Sequence, residues 1–234
     1  MLADADLATV AGLMSTHRAP LLLALLGGRA MTAGELAART DISRSLASSH
    51  LSKLLDGELV SVEQHGRQRH YQLASPHVAE VIEAMLTIAP ARIAQSLRQS
   101  NRGEAIRHAR TCYDHLAGTL GVGLTDALQH QRVIIKAADS AYQLTESGQQ
   151  RLESLGLDIA ALRQRHRAFA RPCRDWTERR PHLAGALGAG IAERLLELNW
   201  LQPIPGTRAL RVTDSGQRGL RDELGLNLAP SRTP

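Results

Sequence analysis

The sequence predicts a mainly α-helical chain of the α+β class, with short β-hairpins set among its helices. Three observations carry this. Apolar residues recur at helical spacing along most of the chain. Two β-prone runs, Leu59–Val62 and Arg69–Leu73, flank His65-Gly66 as the arms of a hairpin. A set of short motifs in the second half then recurs in the same order.

Taken in order, Leu2 to Met14 has helical apolar spacing. A second helix runs from Thr16 to Leu26, with Pro20 near its first turn and Gly27-Gly28 closing it. Thr32 and Glu35 form a capping-box pattern, so a helix begins at Ala33 and ends near Thr40. Asp41-Ile42 makes a turn, and Ser43 caps the next helix, which extends through Asp56. Leu46, Leu51, Leu54 and Leu55 give that helix an apolar side. Arg44, Ser45, Ser48, Ser49 and Lys53 are left on its outer side. The hairpin follows, and a long helix is expected after Pro76, through Leu86 and on toward Leu97. Helix, turn, helix and hairpin in this order describe a winged helix-turn-helix, a module that sets one helix in the DNA major groove.

The repeat occupies the remainder. Ala109-Arg110-Thr111-Cys112-Tyr113-Asp114 recurs as Ala170-Arg171-Pro172-Cys173-Arg174-Asp175, and His115-Leu116-Ala117-Gly118 as His182-Leu183-Ala184-Gly185. Gly121/Gly123 recur as Gly188/Gly190, and Leu144-Thr145-Glu146-Ser147-Gly148 as Val212-Thr213-Asp214-Ser215-Gly216. The second copy carries extra residues, Trp176 to Pro181. Each copy reads as helix, hairpin and a helix capped by Thr145 or Thr213, with the cysteines placed on helices. Ile159 to Phe169 reads as a connecting helix. The expected organisation is a DNA-binding and dimerisation domain at residues 1–100 and a duplicated sensor or interaction domain at 101–228. Its copies span about 104–157 and 165–226, and 229–234 form a disordered tail.

Composition narrows the function. The chain has 234 residues and a formal charge of +5, which leans toward nucleic acid. Between Met1 and Ser75, however, seven basic residues are matched by seven acidic ones, so a DNA reading rests on where the cations stand. Aromatic residues are only 3%, which disfavours modules that stack unpaired bases. No apolar run approaches the roughly 18 residues that span a bilayer, and Asp4 and Asp6 do not suit a secretory leader. Two cysteines are too few for a secreted disulfide scaffold, so a cytoplasmic location is expected.

A recognition helix needs short polar side chains close to base edges and cations near phosphates. Ser43, Arg44, Ser45, Ser48 and Ser49 supply the former, with Arg44 suited to guanine. Lys53, Arg67 and Arg69 supply phosphate contacts. Here the motifs become specific. Arg18 to Leu26, Ile42 to Leu54 (ISRSLASSHLSKL), His65-Gly66-Arg67 and Tyr71-Gln72-Leu73 resemble the corresponding segments of the ArsR/SmtB family of winged-helix repressors. About a third of the chain is covered. The resemblance implies a repressor that binds a palindromic operator as a homodimer, through helices at Leu2–Met14 and Pro76–Leu97, and is released by a signal.

Three departures stand out. Gly57 lies one residue before the family's glycine, and Glu58 takes that position. Glu35-Leu36-Ala37-Ala38 lacks the cysteines of the family's metal helix. Of the family's zinc positions, which fall at Ser75, His77, Ile88 and Ala91, only His77 is a ligand type, and one imidazole makes no zinc site.

The inducer is not named by the sequence, but the repeats are the expected sensor, and the residues with chemistry are Cys112, Asp114, His115, Cys173, Asp175 and His182. Four readings stay open. The cysteines are buried hydrophobes. They form a thiol switch, with Arg110 and Arg171 lowering their pKa. Cys112, His115, Cys173 and His182 bind zinc or another thiophilic metal. A small ligand sits near Tyr113 and Trp176. Thiol chemistry is favoured over metal. The glycines at Gly188 and Gly190 follow no predicted strand and fail the dinucleotide-binding context. The expectation is therefore a DNA-binding regulator and not an enzyme. The alternatives are a non-sensing DNA-binding or architectural protein and a cysteine-dependent enzyme.

Overall fold

The computed structural model describes residues 7–90, 96–137 and 141–228. Two compact units divide the chain, with the boundary between Ile82 and Glu83. The sequence placed a boundary near residue 100. The expected disordered tail, 229–234, lies outside the described residues.

The N-terminal unit holds helices α1 (Leu7–Leu13), α2 (Ala19–Leu25), α3 (Ala33–Thr40) and α4 (Arg44–Asp56). Its sheet contains β1 (Met31–Thr32), β2 (Val60–His65) and β3 (Gln68–Leu73), antiparallel in the order β1-β3-β2. Thr32 and Glu35 form the complete capping box that starts α3. Leu21, Leu25, Leu36, Leu51, Leu54 and Leu73 build the core. A two-residue strand, β1, pairs Met31 with Tyr71, and nothing in the sequence pattern announced it.

Helix α5 (Pro76–Ile88) crosses the boundary between units. The single long helix expected to reach Leu97 is instead two. Pro90 cannot continue a helix, and Ser96 starts a new one, α6 (Leu97–His108), by accepting the Gln99 amide at 3.2 Å.

Beyond α6 the C-terminal unit runs β4 (Arg110–Cys112), β5 (His115–Ala117), α7 (Gly118–His130), β6 (Ile134–Lys136), β7 (Tyr142–Leu144) and α8 (Glu146–Ser154). A short α9 (Ile159–Gln164) follows. Then come β8 (Arg171–Arg174), β9 (Pro181–Ala184), α10 (Gly185–Glu197), β10 (Leu201–Pro203), β11 (Leu210–Val212) and α11 (Asp214–Leu224). Each half thus carries two hairpins and two helices, where the sequence reading had one hairpin between helices. The connecting helix ends at Gln164 instead of Phe169, because Arg165 takes extended backbone.

The two halves exchange backbone hydrogen bonds. Leu210 donates to the Ala109 carbonyl at 2.9 Å, and Tyr142 donates to the Ala170 carbonyl at 3.2 Å. Thr145 and Thr213 each cap a helix by accepting from Gly148 and Gly216, both at 2.9 Å. One apolar core, including Leu120, Leu128, Leu152, Leu187, Leu195 and Leu220, fills the unit.

Candidate DNA interface and a buried cysteine–histidine cluster

Helix α4 begins where Ser43 Oγ accepts the Leu46 amide at 3.2 Å. Asp41, at φ 57°, turns the chain out of α3. Ala47, Leu51 and Leu54, four and three residues apart, bury one side of α4. That leaves Ser43, Arg44, Ser45, Ser48, Ser49 and Lys53 exposed. Leu46 departs from expectation: it is 42% exposed, because Ala47 and not Leu46 lies in line with Leu51 and Leu54. Arg67 and Arg69 are exposed on the wing, which turns through Gly66 at φ 59°. Arg44, Ser48, Arg67 and Arg69 line one cleft of about 530 Å³ together with Thr32 and Tyr71. Cations from helix and wing therefore face a common space.

The altered turn before the wing has a packing cause. A Cβ on Gly57 would stand 2.1 Å from Leu13 Cδ1, so the end of the half-buried Leu13 side chain would have to move to admit one. Glu58 takes the left-handed backbone at φ 56°, and its amide donates to the Leu55 carbonyl at 3.0 Å. The two adjacent positions divide the close approach and the left-handed turn between them.

The C-terminal unit brings together all six residues singled out for chemistry. Cys112 pairs with His115 across β4 and β5, and Cys173 with His182 across β8 and β9. Each hairpin thus offers one sulfur and one imidazole. The donor atoms of these four residues all lie within 4.8 Å of one another. The sulfurs are 3.9 Å apart, and the two Nε2 atoms 3.1 Å apart. The cysteines stand on strands rather than on helices. Pro172 is incompatible with a helix interior, and Tyr113, at φ 60°, turns β4 back into β5. Close packing completes the arrangement. A Cβ on Gly121 of α7 would stand 2.4 Å from the Leu116 carbonyl oxygen, and one on Gly188 of α10 would stand 2.5 Å from that of Leu183.

Carboxylates back both histidines. Asp114 Oδ1 is 3.1 Å from His115 Nδ1, and Asp175 Oδ2 is 3.3 Å from His182 Nδ1. The second contact lies off the hydrogen-bond axis, so it is read as an ion-pair distance and not as a formed bond. Arg110 and Asp175 are fully buried and paired at 2.9 Å. Asp175 also accepts the amides of Gly118 at 2.7 Å, Thr177 at 2.8 Å and Glu178 at 3.0 Å. The connection between β8 and β9 supplies the last two. Arg167 binds Asp114.

Burial opposes ionisation of Asp114, but bonds from His115 and Arg167 pull its carboxyl down to about 2. Burial likewise opposes ionisation of Asp175, yet His182, Arg110 and the amides hold it well below the carboxylate range. The hydrogen bond from Cys112 lowers the Cys173 thiol against burial, with help from His115 and His182. The same bond, together with burial, raises Cys112. Burial lowers His182, but Asp175 and Cys173 raise it further, for a net increase. The favoured thiolate is therefore on Cys173, and its causes are Cys112 and the imidazoles. Arg110 is not among them. It stacks 4.9 Å over Trp176 and serves Asp175.

Sequence reasoning passed over Arg110 and Arg167 as the cations that hold the two aspartates. The repeated Ala-Arg before each cysteine was the available signal for Arg110. The arginines around α9 are individually engaged: Arg163 stacks on Phe169 at 4.3 Å, and Arg165 pairs with Glu193 at 3.0 Å. His77 is exposed and stands 3.6 Å from Glu80.

Residues 13–63 match the family described as "Helix-turn-helix domain". The chain is 42% identical over 224 residues, covering 95% of itself and 99% of the relative, to the "Uncharacterized HTH-type transcriptional regulator YdfF" of Bacillus subtilis (strain 168). Among solved structures, HlyU from Vibrio cholerae N16961 is 28% identical, covering 35% of this chain and 88% of that one, with a TM-score of 0.32. The cadmium metal-sensor CMTR from Mycobacterium tuberculosis is 33% identical, covering 38% of this chain and 94% of that one, with a TM-score of 0.33.

Proposed function

Because the chain belongs to the family of helix-turn-helix transcriptional regulators, its winged module being of the ArsR/SmtB type, we propose that it acts as a homodimeric repressor released by a signal received in its C-terminal unit. It is a DNA-binding regulator of transcription and not an enzyme. The observation that carries the DNA contacts is the common cleft of Arg44, Ser48, Arg67 and Arg69. Helix α4 enters the major groove. Arg44 reads guanine, and Ser43, Ser45, Ser48 and Ser49 let the backbone approach the base edges. Lys53, Arg67 and Arg69 meet phosphates. Exposed Leu46 is suited to a thymine methyl group.

Dimerisation uses α5. Val81, Met85 and Ile88 are exposed at spacings of four and three residues, so one side of the helix is apolar and open. A second copy covers it. Two α4 helices then read half-sites about one helical turn apart in a palindrome. The protein works in the cytoplasm, where its DNA is. Among the described residues no helix is long and apolar enough to cross a membrane.

Residues 104–157 and 165–226 are read as copies. The repeated motifs, the matching element order and the reciprocal hydrogen bonds support this. The signal acts where the copies meet, at Cys112 and Cys173. Cys112, His115, Cys173 and His182 converge there with Asp114 and Asp175 behind the histidines, and that favours sensing over a region that only dimerises.

Selection from random duplexes tests the reading. The full chain is expected to enrich a palindrome, and Arg44→Ala to lose preference at defined base positions. Enrichment of no motif would overturn it.

A further inference from the structure

We propose that Cys112, His115, Cys173 and His182 bind one zinc ion per chain, in a closed tetrahedral site that ties the two cysteine–histidine hairpins together. The donor geometry carries the proposal. With bonds of about 2.3 Å to sulfur and about 2.05 Å to nitrogen, a tetrahedral ion sets its sulfurs about 3.8 Å and its nitrogens about 3.3 Å apart. The sulfurs stand 3.9 Å apart and the Nε2 atoms 3.1 Å apart. All four donors fall within 4.8 Å of one another. Of these two edges the sulfur edge is the wider, as in a tetrahedral site, and the sulfur–nitrogen edges, about 3.6 Å in such a site, fall within the 4.8 Å limit.

The carboxylates give a second argument. Asp114 and Asp175 stand behind the two rings, 3.1 Å and 3.3 Å from Nδ1, so the Nε2 side of each ring is the side turned to the cysteines. The two Nε2 atoms, 3.1 Å apart, are the nitrogens turned toward the junction of the hairpins, and each is free to ligate an ion when its ring is neutral with the proton on Nδ1. A carboxylate behind each ligating imidazole is the usual support of a zinc histidine.

Charge gives a third. Arg167 answers Asp114, and Arg110 answers Asp175. The surrounding shell is therefore balanced without the cysteines. Around one divalent ion, two thiolates and two neutral imidazoles make a neutral buried site. On binding, each thiol still protonated releases its proton to solvent, and nothing is oxidised. Two thiolates select a thiophilic ion over magnesium or calcium.

Four protein ligands leave no position for substrate, so the site is of the structural kind. A disulfide is the competing chemistry. It needs the sulfurs at about 2.04 Å and gives the histidines and their aspartates no role. The assignment rests on the donor set and not on the DNA reading. Only its regulatory consequence, that removal of the ion loosens the junction of the copies, depends on that reading.

The test uses the full chain, reduced with a non-chelating phosphine and freed of metal. Zinc added in equimolar amount is expected to be retained at one per chain. It should also protect both cysteines from alkylation by iodoacetamide. Cobalt is expected to give the intense visible bands of a tetrahedral ion, with a sulfur-to-metal charge-transfer band, and zinc should displace it. Cys112→Ser/Cys173→Ser should abolish the charge-transfer band, and His115→Asn, which removes a ligand, should weaken cobalt binding by more than the roughly 10- to 100-fold of a lost supporting residue. If a variant does not fold, alkylation of the wild type decides. A folded, reduced wild type that retains no zinc and alkylates equally fast with and without it overturns the proposal. So does recovery of a disulfide-bonded chain that takes up no metal after reduction. DNA binding is not read here, so failure of this site leaves the operator reading standing.

Discussion

Glu83 and Arg208 form a buried ion pair, with side chains only 2% and 8% exposed. Arg208 also donates to the Thr111 carbonyl at 3.3 Å and accepts the Thr111 amide on its own carbonyl at 3.0 Å. It is thereby fastened to the residue before Cys112. Removing one member of a buried pair leaves the other charge without compensation. Glu83→Gln is therefore expected to cost about 3 kcal/mol, read as a lower urea midpoint of the C-terminal unit. An unchanged midpoint would show that the pair holds nothing.

Asp114 positions a histidine rather than touching the donor cluster. It is partly exposed, and its loss should leave the hairpin folded. Asp114→Asn is expected to lower zinc affinity by about 10- to 100-fold while retaining one ion per chain and the cobalt charge-transfer band. Competition against a chromophoric chelator measures this. Full wild-type affinity would remove Asp114 from the support of His115.

The turn at Gly57 and Glu58 makes opposite predictions for neighbouring residues. Glu58→Gly relieves a left-handed residue and is expected to stabilise the N-terminal unit by about 1 kcal/mol. Gly57→Ala pushes a methyl group against the end of the Leu13 side chain and is expected to destabilise it by about 1 kcal/mol, the low end of overpacking costs. Thermal unfolding of both variants checks the pair, and shifts of the same sign would contradict it.

These cases show what the sequence made legible. The winged module could be read because its signals are local: the Thr32/Glu35 box, the Ser43 cap and the Gly66 turn each act within a few residues. The glycine displacement at 57 and 58 was visible too, but its cause was not, since Leu13 lies far away in sequence. β1 was missed because two residues carry no alternation and its pairing is with distant Tyr71. The six chemistry-bearing residues were legible from the repeat. Their arrangement was not, because the cysteines were placed on helices. The hairpin turn at Tyr113-Asp114, which sets Cys112 directly opposite His115, was the local clue left unused. Arg167 on Asp114 and Arg110 on Asp175 are contacts between separate segments, which no spacing rule announces.

The dimer prediction rests on α5. Val81→Asp/Ile88→Asp puts two charges on its exposed apolar side and is expected to convert a dimer to monomers in light scattering. Operator affinity should fall with it. A dimer that persists unchanged would move the interface elsewhere.

The central claim is that α4 reads bases while the wing and Lys53 hold phosphates. Its most direct measurement is a salt-dependent gel-shift titration of wild type, Arg44→Ala and Lys53→Ala, on the selected operator and on a scrambled duplex. Arg44→Ala is predicted to lose about 1–3 kcal/mol on the operator alone. Lys53→Ala is predicted to weaken both duplexes alike and to reduce the magnitude of the salt slope by about 0.9 for each Lys53–phosphate contact. Wild-type binding by both variants on both duplexes would contradict the account.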